Sequence, residues 1–177
     1  YKPALEGHTS QIQRAARLVS ESERPVIISG HGVVISEAYE EIQQLAEKAQ
    51  IPVITTLLGV GGFVEDHPLY VGMPGMHGAA YASIAIDQAD LLIAIGMRFD
   101  DRVTGRLSTF APHAKIIHID IDPAEIGKNI RPTVPIVGDA KRVIQQLIPL
   151  VQSKTHPEWL EQIEQLKREH PLYFPED

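Results

Sequence analysis

Short unbroken apolar runs alternate along this chain with longer stretches in which apolar residues recur every three or four positions. The runs at residues 25–29, 51–55, 91–95, 115–120 and 134–137 predict buried strands, with a further short strand near residues 69–71. Helical spacing links Ile12, Ala15, Ala16 and Val19, and again Ala38, Ile42, Leu45, Ala46 and Ala49. An alanine-rich helix is expected over 79–88. Val143, Leu147, Ile148 and Val151 mark another within 140–151, and Trp159, Leu160, Ile163 and Leu166 mark the last. Ser10-x-x-Gln13 and Thr155-x-x-Glu158 read as capping boxes for the first and last helices. Strands alternating with amphipathic helices predict an α/β fold. It is a three-layer, doubly wound, Rossmann-like sandwich around a mostly parallel six-stranded sheet. Residues 1–24 form a lead-in linker and helix, 25–151 the Rossmann-like domain, and 152–177 a C-terminal helix and linker.

In such a sheet ligands bind beyond the carboxyl ends of the strands, so the residues that follow each run carry the functional reading. Gly96, Met97, Arg98, Phe99, Asp100, Asp101, Arg102, Val103, Thr104 and Gly105 follow the run at 91–95. Glycine permits tight backbone paths, and arginine offers planar donors to phosphate or carboxylate. The alternative is a solvated charged turn in which Asp100 or Asp101 caps the next helix. Gly30-His31-Gly32 sits at a strand-to-helix turn where phosphate binds or where the chain simply turns tightly. The third glycine of the dinucleotide fingerprint is missing there, which disfavours an NAD domain. Residues 57–78 form a long, glycine-rich connection, ending in Gly75-Met76-His77-Gly78. Asp120 and Asp122 close the 115–120 strand and suit either ribose hydroxyls or, for Asp122 before Pro123, a helix cap. Gly138-Asp139 permits the same two readings.

Charge and composition narrow the field. The chain has 177 residues, a formal net charge of -7 and no cysteine. That charge opposes generic nucleic-acid binding, so an anionic ligand needs local cations. Disulfides, thiolate metal sites and cysteine nucleophiles are excluded. No apolar run has membrane-spanning length, and neither a signal peptide nor a metal-spaced histidine pair nor a nucleophile elbow is expected. With tyrosine at its start, the chain is expected to be a piece of a longer polypeptide.

Three segments carry a family resemblance: 75–78, 96–105 and Ile119-Asp120-Ile121-Asp122-Pro123-Ala124-Glu125-Ile126-Gly127-Lys128-Asn129. Together they resemble the central domain of acetohydroxyacid synthase, also called acetolactate synthase, in register from Arg24 to about Val151. The resemblance implies the large catalytic subunit of a thiamine-diphosphate enzyme, a transferase. Such an enzyme decarboxylates pyruvate and joins the two-carbon unit to a second 2-ketoacid, in branched-chain amino-acid biosynthesis. It implies FAD in this domain, held mainly for structure, with thiamine diphosphate and Mg2+ in N- and C-terminal domains outside this chain. By position, Gly30, His31 and Gly32 would line the phosphate-to-ribityl part. Thr55, Thr56 and Leu57 would follow along the cofactor, with Met76, His77 and Gly78 nearer the flavin. Gly96, Met97, Arg98, Asp100, Arg102 and Val103 would contact ribityl, phosphate and flavin, and Asp120, Ile121, Gly138 and Asp139 the adenosine end. Met76, Asp101 and Arg102 would face the substrate channel. The implied partners are the two other domains, further copies of the full-length enzyme and a small regulatory subunit, with neither nucleic acid nor membrane. The implied location is the cytoplasm, or the plastid in a plant. The fragment itself is expected to have no synthase activity and to supply no catalytic residue or metal ligand. The competing readings are the central domain of another thiamine-diphosphate enzyme, such as pyruvate oxidase or glyoxylate carboligase, and a cofactor-free oligomerisation scaffold.

Overall fold

The computed structural model describes residues 2–172. Six strands form one sheet: β1 (Pro25–Ser29), β2 (Val53–Thr55), β3 (Tyr70–Gly72), β4 (Leu91–Ile95), β5 (Lys115–Asp120) and β6 (Val134–Val137). Their order is β3-β2-β1-β4-β5-β6 and every pairing is parallel. The chain winds outward from β1 to β3, returns to lay β4 beside β1, and winds outward again. The direction therefore reverses between β1 and β4, which opens a crevice there.

Strand side chains alternate between two cores. Ile27, Ile93, Ile95, Ile117 and Ile119 face one layer of helices: α1 (Thr9–Glu21), α2 (His31–Ile35), α3 (Tyr39–Ala49) and α6 (Ala140–Leu147). Val26, Ile28, Leu92 and Ala94 face the other, which holds α4 (Ala80–Gln88) and α7 (Pro157–Glu169). Both faces of the central strands are covered, so β1 and β4 are buried at every position and read as continuous apolar runs. A one-turn helix, α5 (Asp101–Thr104), follows β4.

Local chemistry displaces three expected boundaries. The nitrogen of His8, not Ser10, caps α1, accepting from the Ser10 N–H. Pro157 opens α7 at its first position, with no side-chain cap from Thr155. No helix follows Asp122; its carboxylate accepts from Ala124 N–H (2.9 Å) within a turn. The lead-in is stitched down as well. Leu5 O accepts from Asp139 N–H (2.8 Å), and Gly7 exchanges two hydrogen bonds with the Gln146 amide (2.8 and 3.1 Å). Trp159 is buried against the sheet and donates its indole N–H to Pro25 O (2.9 Å).

Candidate functional site

At the β1/β4 crevice three glycines interlock. Gly96 has φ +60°, and a methyl on it would lie 2.6 Å from Gly32 Cα. A methyl on Gly30 would strike the Gly96 carbonyl oxygen, backbone that cannot yield. Gly32 N–H donates to Gly96 O (2.9 Å), so α2 is locked onto the end of β4. These glycines therefore serve first to bring two backbones together, and they leave a floor without side chains.

Two adjoining cavities open above that floor, of about 540 and 800 Å³. Thr56, Leu57, Arg102 and Val103 line both and join them into one groove. The first is bounded by the starts of α2 and α6, the segment after β4, and the ends of β5 and β6. It gathers His31, Gly32, Gly96, Met97, Arg98, Asp100, Asp120, Ile121, Gly138 and Asp139. The second gathers Met76, His77 and Asp101 from the glycine-rich loop and α5. Gly75, at φ +95°, packs directly on the Arg102 carbonyl, which presses that loop against α5.

Three expected residues lie off the groove's lining. Thr55 is fully buried, its hydroxyl 3.1 Å from the Tyr70 hydroxyl. Gly30 is spent on the contact with Gly96. Gly78 closes a turn, donating to Gly75 O (3.0 Å) with no room for a side chain beside Met73 and Pro74. Conversely, Ile35, Ser36, Leu58 and Glu125 line the first cavity, and Ser83, Asp87 and Phe110 the second. The available signal for Ser83 and Asp87 was their spacing, four apart on one face of an alanine- and isoleucine-rich helix.

Charge is sorted along the groove. Arg98 and Arg102 are exposed and, among the described residues, form neither ion pair nor side-chain hydrogen bond. Asp100 caps α5 through Val103 N–H (3.3 Å) and Asp139 caps α6 through Arg142 N–H (3.1 Å), so both carboxylates are spent on helix N-termini. Asp120, Asp122 and Glu125 cluster instead at the end of β5. Burial raises the Asp120 carboxyl above its ordinary range, partly opposed by a bond from Asp122 N–H (2.9 Å). Burial likewise raises Asp87. The groove thus offers guanidiniums in the middle and hydroxyl-accepting carboxylates at one end. Beneath it, His118 donates from Nε2 to Met97 O (2.9 Å), while its Nδ1 is buried with no hydrogen-bond partner. The acceptor is a carbonyl, so the proton sits on Nε2.

Among the described residues no cluster of metal-ligating side chains is present, and no helix is long and apolar enough to cross a membrane. Residues 12–147 match the family model described as thiamine pyrophosphate enzyme, central domain. The chain is 58% identical over 171 residues to a probable acetolactate synthase large subunit of Methanocaldococcus jannaschii, covering 95% of this chain and 29% of that protein. It is 48% identical to the acetolactate synthase large subunit of Corynebacterium glutamicum (99% and 29% covered) and 46% identical to that of Cyanidium caldarium (100% and 32%). The chain therefore spans about a third or less of the length of these relatives.

Proposed function

The chain belongs to the thiamine pyrophosphate enzyme central-domain family, and we propose that it is the FAD-binding middle domain of an acetolactate synthase large subunit. The observation that carries this reading is the pair of unpartnered guanidiniums, Arg98 and Arg102, at the waist of an elongated groove over a glycine floor. A pyrophosphate is dianionic and needs donors that the fold has not consumed. Arg98 supplies them, at a cavity bounded by the starts of α2 and α6. Asp120 at the end of β5 accepts from ribose hydroxyls. Thr56, Leu57, Met76, His77 and Val103 take the flavin half in the second cavity, with Asp101 and Arg102 toward the substrate. Each cavity has the size of a small-ligand site, and two in series suit an extended dinucleotide. When bound, the flavin supplies a structural brace between parts of the protein rather than an obligate electron carrier.

In the full-length protein this domain serves the condensation of pyruvate with a second 2-ketoacid on thiamine diphosphate and Mg2+, toward branched-chain amino acids. Those two cofactors belong to the flanking domains, and the protein works as a soluble homo-oligomer with a regulatory subunit. Titration with FAD, followed by flavin fluorescence, tests the reading. Saturable binding that NAD does not displace supports it, and absence of FAD binding overturns it. The 177-residue chain, given thiamine diphosphate, Mg2+ and pyruvate, produces no acetolactate; detection of that product overturns the assignment of catalysis to other domains.

A further inference from the structure

The backbone that carries Arg98 is held from below at nearly every peptide. Gly96 O accepts from Gly32 N–H, and Met97 O accepts from His118 Nε2 (2.9 Å). Phe99 O accepts from Asn129 Nδ2 (2.7 Å), and Asp100 O accepts from Val103 N–H, Thr104 N–H and the Thr104 hydroxyl. Among the described residues, Arg98 alone in the stretch 96–100 has a carbonyl with no partner. Its neighbours' side chains are buried, Met97 at 3% and Phe99 at 4% exposure, while Arg98 is exposed. The Phe99 ring meets His118 edge-on, centroids 4.9 Å apart. Two side chains distant in sequence thus tie down the peptides on either side of one free arginine.

We infer that His118 and Asn129 are positioning residues for the anion site: by fixing the Met97 and Phe99 carbonyls they hold Arg98 aimed into the groove before a ligand arrives. The inference rests on the functional reading above and names what makes its central cation effective. A long arginine loses much rotamer freedom on binding, and a loop already immobilised adds no further ordering cost. Neither residue touches the ligand; each acts through Arg98.

Five variants of the intact chain test this, with Arg98→Ala alone as the reference for the last two: His118→Leu and Asn129→Ala, which remove the donors; His118→Gln, whose amide reaches the Nε2 position; and each donor-removing change combined with Arg98→Ala. Two quantities are read, FAD affinity by flavin fluorescence and amide hydrogen exchange over residues 97–103 without ligand. His118→Leu and Asn129→Ala weaken FAD about three- to tenfold, about 0.65–1.4 kcal/mol, as expected for one neutral hydrogen bond. Both accelerate exchange over 97–103 while leaving β1 and β4 protected. His118→Gln restores affinity to within about twofold. In the Arg98→Ala background the losses vanish, which general destabilisation would not produce. Losses that persist undiminished in that background overturn the inference, as do unchanged exchange rates in both donor-removing variants. Should the parent chain fail to bind FAD, the functional reading falls, and the exchange rates alone decide whether the tethers hold the segment.

Discussion

The two ends of the sheet hold the same kinds of side chain and use them oppositely. At the amino ends of the strands, cations are consumed by the fold. Lys48 Nζ donates to Ile148 O (2.7 Å), Arg24 Nε to Gln88 O (2.8 Å), and Lys154 Nζ to both Ser20 O and Ser22 O (3.0 and 2.6 Å). His156 sets both ring nitrogens against carbonyls, of Gln50 and Ser22 (3.3 and 3.2 Å). At the carboxyl ends, Arg98 and Arg102 have no such partners. The cause is topological. Between parallel strands each helix finishes near the amino end of the next strand, so unpaired carbonyls and negative helix ends collect there. Helix N-termini collect at the opposite rim, where Asp100 and Asp139 cap α5 and α6 and the guanidiniums of Arg98 and Arg102 are left without partners. A chain of net charge -7 can thereby present a local anion site.

If that division is real, damage at one end spares the function of the other. Trp159→Ala removes a 2%-exposed indole that bonds to Pro25 O and fills the core under α4. It is expected to cost about 3–5 kcal/mol in urea unfolding, while molecules still folded bind FAD as before. A large loss of intrinsic FAD affinity would erase the distinction between the two ends. Lys154→Met is the next largest. It strips a charged donor from two carbonyls near the end of α1, and an expected loss of about 2 kcal/mol follows from one charge-assisted bond plus an unpaired acceptor. The same urea unfolding with and without FAD checks it: both curves shift together.

Arg98→Ala gives the mirror image. With no partner in the fold, its removal changes stability by less than about 0.5 kcal/mol. Loss of one charge-assisted bond to pyrophosphate weakens FAD about tenfold or more. The remaining affinity becomes less sensitive to salt, since an exposed cation is screened at ordinary ionic strength. A stability loss as large as that of Lys154→Met, with affinity intact, would place Arg98 among the structural cations.

What the chain disclosed in advance follows the same physics. The runs at 25–29, 91–95, 115–120 and 134–137 coincide with β1, β4, β5 and β6; helices on both faces demand apolar side chains on both faces of β1 and β4, whereas β6, at the sheet edge, fully buries alternate positions only. The groove's arginines and glycines were legible because topology sends strand ends to one rim. Boundaries set by single donors were not. The expected helix over 140–151 stops at Leu147, two residues before Pro149, which has no N–H to continue it. Thr55 occupied the right strand end, but only the fold shows its hydroxyl turned toward Tyr70. His118 and Asn129 lie 21 and 30 residues from the carbonyls they hold, and no spacing rule connects them.

The smallest expected effect separates His118, the one buried histidine at the rim, from the rim's free cations. Burial lowers its basicity, opposed by its bond to Met97 O and by Asp120, whose carboxylate lies 3.9 Å away. A histidine whose folded pKa lies below its unfolded value contributes fully above about pH 6.5, and the contribution is lost as pH falls from there toward the folded pKa. At pH 6 the loss from this one group is limited to about 0.8 kcal/mol. The raised Asp120 carboxyl works with the opposite sign, stabilising as it takes up a proton, in the window between its folded value and the ordinary carboxylate range. Comparing the wild type with His118→Gln reads the histidine together with its coupling to Asp120, 3.9 Å away. Urea midpoints from pH 7.5 to pH 5.5 should fall for the wild type relative to the glutamine variant, with the difference opening below about pH 6.5. Parallel curves would mean that His118 takes up its proton in the folded state as readily as in the unfolded chain. Below about pH 6.5 the tether to Met97 would then be an imidazolium, a cation consumed by the fold like those at the opposite end, and the contrast between the two ends would lose its sharpest case.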